Sequence, residues 1–191
     1  MVLVPRGAFA YGDRDVTGRK TREEIAGFCI DRYEFPNREG ARPETGATWL
    51  EAASRCRELG KRLCTEYEWE KACRGPGGFL YPWGNAFVRS ACALDAESAA
   101  VHRSGARPRC VSPFGVFDMA GSVWEWTENA WDGDPSRRVV RGGWEEPLGE
   151  LGASCGYRAA QDASRGTGRI GWRCCAAPVR PVRVPALGPC P

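Results

Sequence analysis

Apolar and polar positions follow two different rhythms along this chain, and the rhythm changes at recognisable punctuation. Two segments carry the helical rhythm. Thr48 followed by Glu51 forms a capping box, in which the hydroxyl takes the amide of the third helical residue and the carboxylate reaches back to the cap. It opens a helix over Trp49 to Leu59, closed by Gly60. Thr65 with Glu68 repeats the device and opens a second helix over Glu66 to Cys73, ended near Gly75-Pro76. On that helix Trp69 and Cys73 stand four apart and share a face.

The remaining apolar runs are short and read as strands. Met1 to Gly12 is extended, with a turn at Pro5-Arg6-Gly7, and Phe28 to Phe35 alternates like a half-buried strand. Phe114 to Thr127, Arg138 to Trp144, Cys155 to Ala160 and Ile170 to Ala176 follow as short strands joined by glycine turns. Residues 13–26 are polar and are expected to form a loop. Pro36 to Gly46 is rich in turn residues, and Phe79 to Asn85 is an aromatic turn. Residues 88–112 read as a long surface loop that closes on itself if Cys92 pairs with Cys110. The pattern predicts one α+β domain over 1–176, followed by a proline-rich extended tail over 177–191 that Cys190 can tie down.

Composition sharpens this picture. The 191 residues include ten Cys, eight Trp, 24 Gly and 14 Pro. A chain of this size buries about 70% of its unfolded surface, so it does not need cross-links merely to fold. The cysteines lack any C-x-x-C pair, and their even number and wide spacing indicate a disulfide framework in an oxidising compartment. The protein is therefore expected to be exported, as a periplasmic, cell-surface or secreted protein. The competing reading is buried free thiols in a cytosolic protein. Adjacent Cys174 and Cys175 on a strand would face opposite ways, so either they have different partners or one is free.

Charge and histidine content exclude several functions. Lys and Arg total 27 against 24 Asp and Glu, and the cations are dispersed, which does not suit a nucleic-acid protein held by a basic stripe. The single histidine, His102, rules out sites that need two or more imidazoles. No apolar run is long enough to span a membrane. No basic-then-apolar leader opens the chain, so a signal peptide is expected to be absent, to have been removed, or to lie outside this sequence.

Taken together, several segments resemble one family. Gly60-Lys-Arg-Leu-Cys-Thr-Glu-Tyr-Glu-Trp-Glu-Lys-Ala-Cys-Arg-Gly75 is similar to a signature of the formylglycine-generating enzyme, or sulfatase-modifying factor, family. So are Tyr81-Pro-Trp-Gly-Asn85, Phe114 to Thr127, Arg141-Gly-Gly143, Ile170-Gly-Trp-Arg-Cys174 and the opening Met1 to Gly12, all in family order. The resemblance implies a variant C-type-lectin-like fold, with short twisted antiparallel strands, two helices and much irregular loop. It also implies a calcium site: Asp118 and Glu125 by side chain, Gly121 and Val123 by main-chain oxygen. A loop turning at Gly121 can present such oxygens to one hard cation, which takes about six to eight. Without a metal, the two carboxylates would instead cap loop amides. A second family calcium site uses an asparagine where this chain has Ala93. The resemblance further implies a Cys56–Cys174 disulfide. It places Cys73 in a second one, for which Cys155 is the available partner. Cys29, Cys64, Cys175 and Cys190 stay unassigned.

Family members of known activity oxidise a sulfatase cysteine to formylglycine, using oxygen and copper(I) held by two thiolates soon after the Arg-Gly-Gly motif. Here that stretch carries Trp144, Glu145, Glu146, Pro147 and Leu148, and only Cys155 remains as a candidate catalytic thiol. One thiolate cannot hold copper(I) between two sulfurs. The resemblance thus implies a non-catalytic, calcium-holding binding or scaffold module. It would recognise a protein or glycan partner through loops 88–112 and 144–169. The alternative is a formylglycine-generating or related copper- or cysteine-dependent oxidase using Cys155. A third reading is a purely structural domain of a larger surface assembly.

Overall fold

The computed structural model describes residues 1–12, 18, 20–94, 101–143, 146–179 and 190. Both helices start where a threonine can cap them. Helix α1 spans Trp49–Glu58 behind Thr48, and helix α2 spans Glu66–Arg74 behind Thr65, each with a complete reciprocal capping box. The chain leaves α2 through Gly75 at φ 64°, where a side chain would meet the Pro113 ring at 2.5 Å, so only glycine fits.

Strands β1 (Val2–Val4), β4 (Phe28–Ile30), β5 (Arg62–Leu63) and β10 (Cys174–Ala176) form one antiparallel sheet in the order β1-β4-β10-β5. Strands β6 (Trp124–Trp131), β7 (Asp134–Arg141), β8 (Ala159–Asp162) and β9 (Ile170–Trp172) form another in the order β8-β7-β6-β9. Strands β2 (Gly7–Tyr11) and β3 (Thr21–Ile25) make a separate pair.

Several expectations need correction. Part of the polar stretch 13–26 is a strand, because β3 is an edge whose side chains are mostly exposed and so lacks apolar alternation; residues 13–17 and 19 lie outside the described residues. The run from Phe28 stays extended only to Ile30, and Asn37 at φ 59° marks the turn that follows. Phe114 to Thr127 extends only from Trp124, because Asp118, Gly121 and Ser122 adopt φ of 57°, 75° and 59°, which no strand accommodates. Strand β7 begins earlier than Arg138 and ends where Gly142 turns at φ 79°; Trp144 lies outside the described residues. Cys155 sits in a turn after a kinked 3-10 helix, Glu146–Ala153, and β8 starts only at Ala159. Ile170 to Ala176 is two strands in different sheets, divided at Arg173. The sheets are also not wholly antiparallel, since β6 and β9 run parallel. A long connection separates them in sequence, so no tight turn forces them to run antiparallel. Of the tail, residues 180–189 and 191 lie outside the described residues, while Cys190 is bonded to Cys29 on β4.

Strand β10 lies between two apolar cores. Cys175 packs with Val4, Ile30, Trp69 and Met119, whereas Cys174 packs with Ala52, Leu63, Trp126 and Trp172. A third cluster gathers Tyr81, Leu94 and Ala120 around the Cys92–Cys110 bridge.

Candidate functional site

Alternation on β6 decides how the aromatic segment Trp124–Trp126 is used. Trp124 and Trp126 point into the core beneath α1, and Glu125 between them points the other way. There it is fully buried, with both oxygens hydrogen-bonded. Arg173 donates Nη2 to Glu125 Oε1 and Nε to Oε2, both at 2.6 Å, and Trp69 donates Nε1 to Oε2 at 2.7 Å. The same guanidinium donates to the carbonyls of Asp31 and Phe117. Arg173 sits where the chain crosses from β9 to β10, so one side chain ties the two sheets to the turn before β6. Burial opposes its charge, but the Glu125 carboxylate outweighs that and raises its pKa.

Asp118 does not join this pair. Its Oδ2 accepts the Gly105 amide at 2.7 Å, and Ser104 Oγ donates to Glu34 Oε2 at 2.8 Å, so two buried carboxylates pin residues 104–105 to the core. Burial and then the nearby Asp118 charge push the Glu34 carboxyl up to about 8. Burial pushes Asp118 up to about 6. Gly121 has its own task. Its amide donates to the Gly142 carbonyl at 2.6 Å, and a side chain there would collide with the Ala93 carbonyl.

These contacts test the implied calcium site, and the residues do not fit it as a set. Glu125 has both oxygens engaged by N–H donors, and Asp118 is turned to an amide. The positive charge that Glu125 needs comes from Arg173.

The Arg141-Gly142-Gly143 motif serves packing as well. A side chain on Gly142 would press on Trp69 at 2.9 Å, and one on Gly143 would overlap the Trp124 ring. Arg141 is fully buried and bridges Glu66 at 2.9 Å and Glu70 at 3.0 Å on α2. It also donates to the carbonyls of Cys155, Gly156 and Tyr157, fixing the turn that carries Cys155.

The ten cysteines form five disulfides. Cys56 bonds Cys174, Cys73 bonds Cys155 and Cys92 bonds Cys110; the four cysteines left open by the sequence pair as Cys29–Cys190 and Cys64–Cys175. Cys155 is fully buried, its Cα 5.6 Å from that of Cys73. It offers no thiolate in this state, so the residues here do not fit a two-thiolate copper(I) centre.

Sequence reasoning missed Arg173, Trp69 and Glu34 as a polar group. A signal was present for the first: a buried carboxylate between two core tryptophans requires a cationic partner. Nothing local identified Glu34, which sits in a short turn among apolar residues.

Comparison with known proteins agrees with this fold. Residues 36–178 match the sulfatase-modifying factor enzyme 1-like domain. Inactive C-alpha-formylglycine-generating enzyme 2 of Bos taurus is 32% identical over 158 residues, covering 73% of this chain and 52% of the bovine protein. The chain thus spans about half the length of that relative. Among solved structures, Treponema denticola variable protein 1 superposes with a TM-score of 0.80 at 16% identity, covering 93% of this chain and 95% of the other. PvdO from Pseudomonas aeruginosa gives 0.69 at 22%, covering 91% and 92%. Both likenesses concern the fold alone. With its motifs in family order and three quarters of its length matched, the chain belongs to the family of sulfatase-modifying factor enzyme 1-like domains.

Proposed function

We propose that this chain is a non-catalytic member of the family, a disulfide-stabilised module that binds a protein or glycan partner in an oxidising, extracytoplasmic setting. The observation that carries this reading is the Cys73–Cys155 bridge. The formylglycine reaction needs two thiolates in an open groove, and the one cysteine near the expected position is spent on a buried cross-link. The likeness to a bovine protein designated inactive supports the same reading. Five disulfides support the oxidising setting. No described helix is long and apolar enough to cross a membrane.

The binding surface is assigned to the irregular segments 88–112 and 144–169, of which 95–100 and 144–145 lie outside the described residues. Loops held by a rigid scaffold are where recognition residues concentrate. Here the scaffold is unusually well anchored, with Cys92–Cys110, Glu34 and Asp118 holding one segment and Arg141 and Cys73 the other.

The test is thiol counting on the unreduced protein, followed by incubation with copper(I), oxygen and a cysteine peptide of sulfatase sequence. No titratable thiol and no aldehyde product by mass spectrometry is the expected result. Conversion of the peptide would overturn the reading in favour of an oxidase.

A further inference from the structure

The pattern Arg-x-Gly-Ala-Arg occurs twice in the chain, as Arg38-Glu39-Gly40-Ala41-Arg42 and as Arg103-Ser104-Gly105-Ala106-Arg107. Both copies fold into the same β-turn. The Ala41 amide donates to the Arg38 carbonyl at 3.1 Å, and the Ala106 amide donates to the Arg103 carbonyl at 3.0 Å. Gly40 and Gly105 take the third position at φ 71° and 76°, the left-handed residue that a type II turn requires. In each copy one arginine opens the turn and the other follows it.

The fold sets the two turns side by side. The Gly40 amide donates to the Ser104 carbonyl at 2.9 Å, the Ser104 amide donates to the Ala41 carbonyl at 2.8 Å, and Arg103 Nη1 donates to the Gly40 carbonyl at 2.9 Å. Ala41 and Ser104 are buried, whereas Arg38, Arg42 and Arg103 are exposed, as is Arg109 just beyond the second copy. Arg38, Arg42 and Arg109 have no ion-pair partner among the described residues. The acids nearby are engaged elsewhere. Glu39 lies beside the Tyr33 hydroxyl, and Glu34 and Asp118 hold Ser104 Oγ and the Gly105 amide against the core. Cations that are dispersed along the sequence are thus gathered on one face, on backbone that is already fixed, so little ordering is left for a ligand to impose.

The chemistry of this face selects its ligand. A guanidinium is a planar fork that pairs two-fold with a carboxylate or sulfate. The exposed large apolar side chains of the described residues, Leu50, Leu59, Leu151 and Val179, lie outside both turns, so the face lacks the apolar anchors on which protein interfaces depend. We propose that the paired turns are a binding surface for an acidic polysaccharide, whose repeated carboxylate or sulfate groups engage Arg38, Arg42 and Arg109. This inference rests on the reading of the chain as a binding module and names the ligand class; if it fails, that reading still stands or falls by the thiol count and the aldehyde assay.

The experiment titrates the intact oxidised protein by calorimetry with polygalacturonate, heparin, neutral dextran and poly-glutamate. Saturable binding of an acidic polysaccharide that weakens as salt is raised, and none of dextran, is the expected result. The triple variant Arg38→Gln, Arg42→Gln, Arg109→Gln should weaken that binding about tenfold. The control variant Arg22→Gln, Arg57→Gln, Arg165→Gln removes the same charge from exposed positions elsewhere, and should leave the affinity within about twofold. Equal melting temperatures of the three proteins check that each is folded. Absence of saturable binding to both acidic polysaccharides, equal losses in the two variants, or tighter binding of poly-glutamate than of either polysaccharide would each overturn the proposal.

Discussion

Glu125 and Arg173 meet side-on inside the protein, with Nη2 to Oε1 and Nε to Oε2 both at 2.6 Å and neither side chain reaching solvent. The pair lies where a family resemblance implies a metal ion. A guanidinium fixed by covalent connection to β9 and β10 therefore does the work of a counter-ion, and it joins the two sheets at the same time.

Breaking that pair should be costly. Replacing Arg173 with Gln leaves a fully buried carboxylate with a single donor, Trp69, and orphans the carbonyls of Asp31 and Phe117. A loss of about 3–5 kcal/mol is expected, measured by urea unfolding with disulfides intact. Combining it with Glu125→Gln should cost less than the sum of the two single changes, because the second removes the unpaired charge that the first creates.

Divalent-ion removal should then matter little. Chelation with EDTA is expected to leave the melting temperature within about 1 °C, since Arg173 already supplies the positive charge beside Glu125 and an ion contributes stability only by mass action when bound. A clear fall that added calcium restores would show that an ion is bound after all.

Glu34 and Asp118, the two acids that hold residues 104–105, predict a pH dependence. The Glu34 carboxyl is raised from an ordinary 4.5 to about 8 and Asp118 from 3.8 to about 6, both chiefly by burial. The folded state thus holds protons that the unfolded state has released. The stability these groups contribute is fully present below pH about 4 and is lost as pH rises through 6 and then 8. Unfolding free energy should fall across that window, and Glu34→Gln should flatten its upper half. A stability that rises from pH 5 to 8 in the wild type would contradict the arrangement.

The five bridges should also differ in their reaction with a mild reductant. Cys190 is partly exposed, whereas the cysteines of the other four pairs are almost wholly buried. Brief dithiothreitol treatment under native conditions, followed by alkylation and peptide mapping, should label Cys29 and Cys190 first. Early labelling of Cys73 or Cys155 would instead show that the bridge near the expected catalytic position opens readily.

The sequence was most informative where chemistry is local. Thr48–Glu51 and Thr65–Glu68 announced both helices because a capping box is written in four adjacent residues. Cys174 and Cys175 facing opposite cores followed from the two-residue period of a strand. Legibility failed where the determinant is distant. The division of Ile170 to Ala176 between two sheets depends on Arg173 reaching Glu125, which lies 48 residues earlier. Strand β3 is held by pairing with β2 rather than by its own apolar pattern.

Four of the five bridges join a cysteine at or before position 73 to one at or after position 155. During synthesis, Cys29, Cys56, Cys64 and Cys73 therefore emerge long before any native partner, and only Cys92–Cys110 can close early. Until Cys155 is made, the nascent protein carries four reactive thiols close enough in sequence to pair wrongly with one another. Its maturation should depend on an isomerase that undoes such pairings. A chain halted before residue 155 could not hide these thiols, so their oxidation state would report whether synthesis was completed.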